Sequence, residues 1–333
     1  MKFWDKWSRA ILFVMEQKAY LMKSQSKSEK PTLVCPIELR DEEQVVRWIA
    51  EITGRDESTI RNRLRQEFER PGFNVVREFA EISLEPYVWS EELVRFYEQT
   101  DAFLYELVVW NCNSLKRRMR SYISKYLTEH EGSGRNVLCV GDGLGVDSFY
   151  LAQHRQKVTY FELEGFSHRF ASKLFSLTDA EIKVASEPQH IPTESFDAVV
   201  CLDVLEHVRD VPSFLKQITA YLRPGGILIV HAPFYMIHPS NPTHLKANRI
   251  YSGKLDLYYE CSLKLINGRF FWNPLIFEKV SDDTNQRKPQ RSALGMFSLK
   301  LGGWYLSIGR FSILPFRWID FYRTRRNKCF EAH

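Results

Sequence analysis

The run Val137-Leu138-Cys139-Val140 is uninterruptedly apolar and opens into Gly141, Gly143 and Gly145. A short apolar run bounded by turn residues marks a strand buried on both faces. Similar runs follow at Lys157–Phe161, Ser195–Asp203 and Ile227–Val230, the last preceded by the turn sequence Arg223-Pro224-Gly225-Gly226. Segments with helical spacing lie between them, at Ser148–His154, Phe166–Leu177 and Val211–Leu222. Strands alternating with helices at this spacing predict a doubly wound, mostly parallel sheet covered on both faces, a Rossmann-like α/β fold. The glycines permit a tight turn and close approach of a ligand to the backbone. A helix starting near Val146–Ser148 is expected to point unpaired N–H groups into the same crevice.

The pattern changes on either side of this core. Before residue 131 it is almost wholly helical. Phe3, Trp7, Ile11 and Val14 share one face of a first helix, and the polar run Ser24–Lys30 reads as a linker. Further helices are expected at Asp41–Ala50, with Asp41 as cap, and at Ser58–Phe68, ended by Pro71-Gly72. One long or two shorter aromatic-rich helices fill Ser90–Tyr126. After Pro233, strand-like runs appear at Arg269–Val280 and Gly303–Arg310, separated by a polar gap. Three regions result: helical residues 1–131, a cofactor-binding core at 132–233, and a C-terminal extension at 234–333 that completes the core and carries acceptor residues.

Taken in order, VLCVGDGLG, the acid of TYFELE, SFDAVVCLDVLEHV and LRPGGILIVHAP resemble the class I S-adenosylmethionine-dependent methyltransferases. A nicotinamide-binding Rossmann domain fits less well, because its third glycine falls three residues after its second, whereas Gly143 and Gly145 are two apart. The resemblance implies S-adenosylmethionine as cofactor and S-adenosylhomocysteine as product. It implies a cofactor site of Gly141, Gly143 and Gly145, with Glu162 on the ribose and Ser186-Glu187 at the adenine edge. Leu202 lies beside it, and aromatic helices close over it through Tyr97 and Tyr105. Where the family usually carries an acid two residues before the first glycine, this chain has Cys139, which shifts the expected methionine anchor to Asp142 or to backbone groups.

Methyl transfer from a sulfonium needs alignment and exclusion of water, and a hydroxyl acceptor also needs a base. Asp203 and His207 are one helical turn apart where the fourth strand ends, so His207 is the expected base and Asp203 or Glu206 its orienting acid. In the alternative, His207 only braces the loop. Catalysis without a metal is the favoured reading. The set that would hold a divalent ion is Asp203, Glu206 and His207 with His244, or with His231 or His238. Some members of the family, among them small-RNA 2′-O-methyltransferases and quinone-ring O-methyltransferases, use such an acid-x-x-Glu-His run.

Composition narrows the partners. The 333 residues carry 46 basic and 41 acidic groups, a net +5, which does not demand a nucleic-acid partner. Cysteines 35, 112, 139, 201, 261 and 329 form no CxxC pair, and two fall in expected buried strands, so reduced thiols in a cytoplasmic setting are expected. No apolar run reaches the length of a membrane span, and no signal-peptide cleavage site follows the first apolar stretch. Thr53-Gly54 with Arg61, Arg63 and Arg65 has the outline of a helix-turn-helix, although nearby acids favour a plain helical hairpin. The N-terminal helix and the basic aromatic tail Phe311–Lys328 suit peripheral contact with an anionic membrane. The expected activity is methylation of a small molecule, oxygen before nitrogen: a sugar, lipid-linked or natural-product intermediate. An RNA or protein methyltransferase is the alternative, and a non-catalytic cofactor-binding subunit a further one.

Overall fold

The computed structural model describes residues 35–280 and 292–311. The expected N-terminal helix and linker, and the tail beyond Phe311, lie outside these residues. The described chain begins with a helical layer: α1 (Glu42–Thr53), α2 (Glu57–Glu69), α3 (Phe73–Glu81), α4 (Glu91–Gln99), α5 (Ala102–Cys112) and α6 (Ser114–Tyr126). Short polar side chains start these helices by accepting otherwise unpaired backbone N–H groups: Asp41 before α1, Asp56 before α2, Ser90 before α4 and Asn113 before α6. Where one or two helices were expected over Ser90–Tyr126 there are three. The Thr100 hydroxyl and the Asn113 amide each accept a backbone N–H and restart the helix. The helix-turn-helix outline resolves to the α1–α2 hairpin. Arg61 faces Glu42 and Glu43, Arg65 faces Glu42, and buried Arg63 faces Asp101 and Glu78. All three arginines that would meet phosphates therefore meet carboxylates.

The sheet follows, as β1 (Asn136–Val140), α7 (Val146–Gln153), β2 (Lys157–Phe161), α8 (Phe166–Ser176), β3 (Ile182–Ala185), β4 (Phe196–Leu202), α9 (Val211–Ala220) and β5 (Leu222–His231). A short helix α10 (Asp256–Tyr259), strands β6 (Leu263–Gly268) and β7 (Leu275–Lys279), and helix α11 (Ala293–Ser307) complete it. The strand order is β3-β2-β1-β4-β5-β7-β6, with β1 to β5 parallel and β7 antiparallel to both neighbours. Alternate residues of each central strand face opposite layers. Val137, Cys139, Val200 and Ile229 pack with Met119 and Ile123 of α6. Leu138, Val140, Val199 and Leu228 pack with Leu215 and Ile218 of α9 and with Leu299 and Leu306 of α11.

The expectation of a strand at Gly303–Arg310 is overturned, since most of this segment belongs to α11. A short window of alternating bulk imitates a strand. Tertiary packing reveals the helical period instead, because Leu299, Gly302, Gly303 and Leu306 are the buried positions. The expected strand at Arg269–Val280 begins later, at Leu275, after a turn, and its partner β6 was not anticipated. Close approach explains the paired glycines of α11. A Cβ on Gly302 would lie 1.8 Å from the Phe270 carbonyl oxygen, and one on Gly303 2.3 Å from the Trp272 ring. Gly302→Ala is therefore expected to cost about 1–3 kcal/mol by overpacking against backbone. Urea denaturation measures this, and an unchanged midpoint would mean that α11 does not seat on the 270–272 turn.

Candidate active site

The winding of the sheet reverses between β1 and β4, and at the carboxyl ends of those strands a crevice opens. It holds a cavity of about 800 Å³ walled by Gly141, Gly143 and Glu162 from the sheet edge and by Leu93, Tyr97, Phe103, Leu107 and Trp110 from α4 and α5. The loops after β4 and β5 supply Asp203, Glu206, His207, His231, Tyr235 and His244. The helical layer thus roofs the edge of the sheet.

Two of the three turn glycines shape the cavity. Gly141 and Gly143 have φ of +70° and +59°, and a Cβ on either would strike Val204 at 2.3 Å or Leu107 at 2.7 Å. Gly145 serves helix packing instead, because its Cα faces Phe175 and Ala171 of α8. The Glu162 carboxylate accepts the N–H groups of Gly143 at 2.7 Å and Leu163 at 2.9 Å, and burial raises its pKa against the pull of those donors. The Asp142 side chain is off the cavity wall and caps α7, accepting from the Asp147 and Ser148 N–H groups at 3.1 and 2.7 Å. These helix N–H groups, expected to point freely into the crevice, are therefore satisfied from within the chain. Burial pushes the Asp142 carboxyl up to about 7, and the neighbouring Asp147 charge adds to this. Cys139 is buried in the sheet, as is Leu202 at the end of β4. Ser186 and Glu187 are exposed beyond β3 and do not line the cavity. Tyr105 lies within the helical layer under the Arg63 guanidinium.

Asp203 sits just past β4 with φ +60°, an uncommon backbone state for a residue with a side chain. His231 Nδ1 contacts its carboxylate at 2.6 Å, Trp110 Nε1–H donates to it at 3.0 Å, and Lys116 Nζ lies 3.5 Å away. Burial opposes its charge, but His231 and Lys116 hold its pKa below the ordinary carboxylate range. Lys116 and Arg120 of α6 also reach Asp147 of α7, at 2.9 and 2.5 Å. Asp203 therefore ties α5 and α6 to the sheet edge and makes no hydrogen bond to His207, for which the sequence offered it, or Glu206, as the orienting acid.

His207 is oriented by other groups. Its Nδ1 lies 2.9 Å from the Tyr97 hydroxyl and 3.2 Å from the Thr243 carbonyl oxygen. Its Nε2 is left 3.8 Å from Glu206 Oε1. The His244 ring is held by the Met236 carbonyl, and its Nδ1 has no partner. Both oxygens of the buried Glu206 carboxylate are also without partners. Ligand atoms of Glu206, His207 and His244 lie within 4.8 Å of one another. Burial, reinforced by the Asp203 charge, raises the Glu206 carboxyl far above its usual range, while burial lowers His207 to about 4 and holds His244 well below the ordinary imidazole value. Each histidine is thus anchored through one nitrogen and presents the other toward a bare carboxylate, the way metal-binding imidazoles are held. Among the described residues, Asp203 and His231 pair with each other outside this group.

Residues 113–270 match the family model described as a methyltransferase domain. These residues form a methyltransferase domain. The ubiquinone biosynthesis O-methyltransferase of Psychrobacter cryohalolentis is 30% identical over 129 residues, 36% of this chain and 49% of that protein. Phosphoethanolamine N-methyltransferase 1 of Arabidopsis thaliana is 28% identical over 120 residues, 33% and 23% of the two chains. The N-methyltransferase NodS of Bradyrhizobium japonicum, solved with S-adenosyl-L-homocysteine, aligns with a TM-score of 0.42 at 17% identity, covering 57% of this chain and 98% of that one. The chain spans about half the length, or less, of these curated relatives.

The crevice fits the cofactor expected from the sequence. The side-chain-free wall at Gly141 and Gly143 admits close approach of a ligand, and Glu162 offers a carboxylate at the end of β2. Glu106 of α5, also on the cavity wall, was not foreseen. Burial pushes its carboxyl up to about 8. Its folded pKa exceeds its unfolded one, so the folded state loses stability as pH rises from about 4.5 to 8. Glu106→Gln is expected to stabilise the apoprotein, by about 1–3 kcal/mol above pH 8 and little below pH 5. Urea midpoints across that window test this, and a gain that does not depend on pH would place Glu106 in water.

Proposed function

We propose that the protein transfers a methyl group from S-adenosylmethionine to a hydroxyl of a small, largely apolar acceptor, with Glu206, His207 and His244 activating that hydroxyl around a divalent ion. The observation carrying this reading is the convergence of buried Glu206 and His244 with half-buried His207, whose facing ligand atoms are unpartnered or meet only one another. Leaving a buried carboxylate bare is costly unless something else completes it. Two imidazole nitrogens and a carboxylate suit a divalent cation and leave coordination positions open. An ion there supplies Lewis acidity that lowers the pKa of an acceptor hydroxyl. That help favours oxygen over nitrogen, because an amine needs its lone pair free for attack.

The chain's own residues do the remaining work. Glu162 holds the ribose, and Gly141 and Gly143 let the donor lie against the backbone at the end of β1. Tyr97 and the Thr243 carbonyl fix the tautomer and tilt of His207, so that Nε2 faces the reacting oxygen. Leu93, Phe103, Leu107 and Trp110 keep water out, which preserves the donor and strengthens each polar contact inside. The ubiquinone-biosynthesis relatives methylate oxygen and the phosphoethanolamine relatives nitrogen, and the ligand set favours the former here.

Exhaustive chelation is expected to abolish turnover, and Mg²⁺, Mn²⁺ or Zn²⁺ to restore it, with S-adenosylhomocysteine affinity unchanged by calorimetry. Glu206→Gln and His244→Ala are expected to lower kcat by about 10²–10⁴-fold, the range for losing Lewis-acid or acid–base assistance. Turnover that survives both chelation and Glu206→Gln would leave His207 acting as a base without a metal. Glu162→Gln is expected to weaken S-adenosylhomocysteine binding by about 1–3 kcal/mol. An unchanged Kd would move the ribose away from β2.

A further inference from the structure

Helix α11 has two unlike faces. Its inner face seats Leu299, Gly302, Gly303 and Leu306 on the sheet, and Leu306 reaches the cavity wall. Its outer face carries Leu294, Phe297, Leu301 and Trp304, which are 69, 56, 43 and 68% exposed. These positions are spaced three, four and three residues apart and so form one stripe along the helix. Phe270, against whose backbone Gly302 packs, extends the apolar surface, and Phe311 at the end of the described chain is 86% exposed. A soluble surface scatters single apolar side chains, whereas a continuous stripe marks a site of contact.

Charge says what covers it. No acidic residue occurs from Ala293 to Phe311, and Lys300 lies exposed beside the stripe. From Ser292 to the C-terminus the chain holds seven basic and two acidic residues, while the first 291 residues hold 39 of each. The whole formal excess of +5 therefore belongs to α11 and the sequence that follows it. An exposed apolar helix face, with a cationic excess in the helix and the sequence after it, matches the acyl and headgroup layers of an anionic bilayer. We propose that the outer face of α11 docks the protein on an anionic lipid surface, with Phe297 and Trp304 entering the acyl boundary. The proposal stands apart from the reading of the Glu206 cluster. Since Leu306 of the same helix borders the cavity, docking sets the acceptor pocket next to the lipid phase.

The test is sedimentation of the full chain with phosphatidylcholine vesicles, with and without phosphatidylglycerol. Binding to the mixed vesicles is expected, weaker to the neutral ones and weaker in high salt. Combining Phe297→Gln with Trp304→Gln is expected to lower partitioning about tenfold or more, while the urea midpoint and S-adenosylhomocysteine Kd hold. Wild-type fluorescence is expected to be quenched by lipids brominated along the acyl chain, and the quenching to fall in Trp304→Phe. That second readout decides the matter even if the double variant misfolds. Equal vesicle binding by a folded double variant, or equal quenching in Trp304→Phe, overturns the proposal. A wild-type chain that ignores vesicles but forms dimers broken by the double substitution overturns it too, and gives the stripe to a second copy.

Discussion

A single carboxylate organises the active edge of this protein. Asp203 leaves β4 in a left-handed backbone state and is mostly buried, so its charge needs partners close by. It finds them in three separate elements: the Trp110 indole of α5, Lys116 of α6 and His231 at the end of β5. Lys116 carries the connection on to Asp147 of α7, where Arg120 joins it. The helical layer is thereby locked over the carboxyl ends of β1 and β4. Without that lock the roof residues Leu107 and Trp110 would have no fixed distance from the glycine turn, and the crevice would stay open to water.

The acids around the cavity divide by whether they are satisfied. Asp142, Asp147 and Asp203 accept hydrogen bonds from the chain itself and hold elements together. The Glu206 carboxylate meets no donor from another residue, and burial drives Glu106 toward its neutral form. A fold does not leave buried carboxylates bare for stability's sake, so the second class is where chemistry is expected. The two classes are interleaved in sequence, as Asp203 and Glu206 are three residues apart with opposite pKa shifts. Side-chain environment separates them, since Asp203 faces the Lys116 ammonium whereas Glu206 faces the rings of His207 and His244.

Much of the core could be read directly from residue order. The central strands, the glycine turn and the helices α7 to α9 lie within a few residues of their expected positions, because each depends on local properties: apolar runs, positive-φ glycines and caps. The Gly303–Arg310 segment defeated that reading, because eight residues hold too little of a helical period to separate it from alternation. Lys116 and Arg120 carried no signal either. On an amphipathic helix, charged residues look solvent-facing until the acids that meet them, Asp147 and Asp203, are brought in from far along the chain.

Sequence alone determined that a parallel, doubly wound sheet would bring a glycine turn and a strand-end acid to one crevice, since both follow from backbone geometry and from the alternation of strand and helix. Only the tertiary structure decided which side chains share that crevice. It paired Asp203 with His231 rather than His207, and it drew His244 from far along the chain to join Glu206 and His207. The physical reason is that burial and charge compensation act between groups distant in the chain, and nothing in their spacing encodes which partner removes the cost of desolvation.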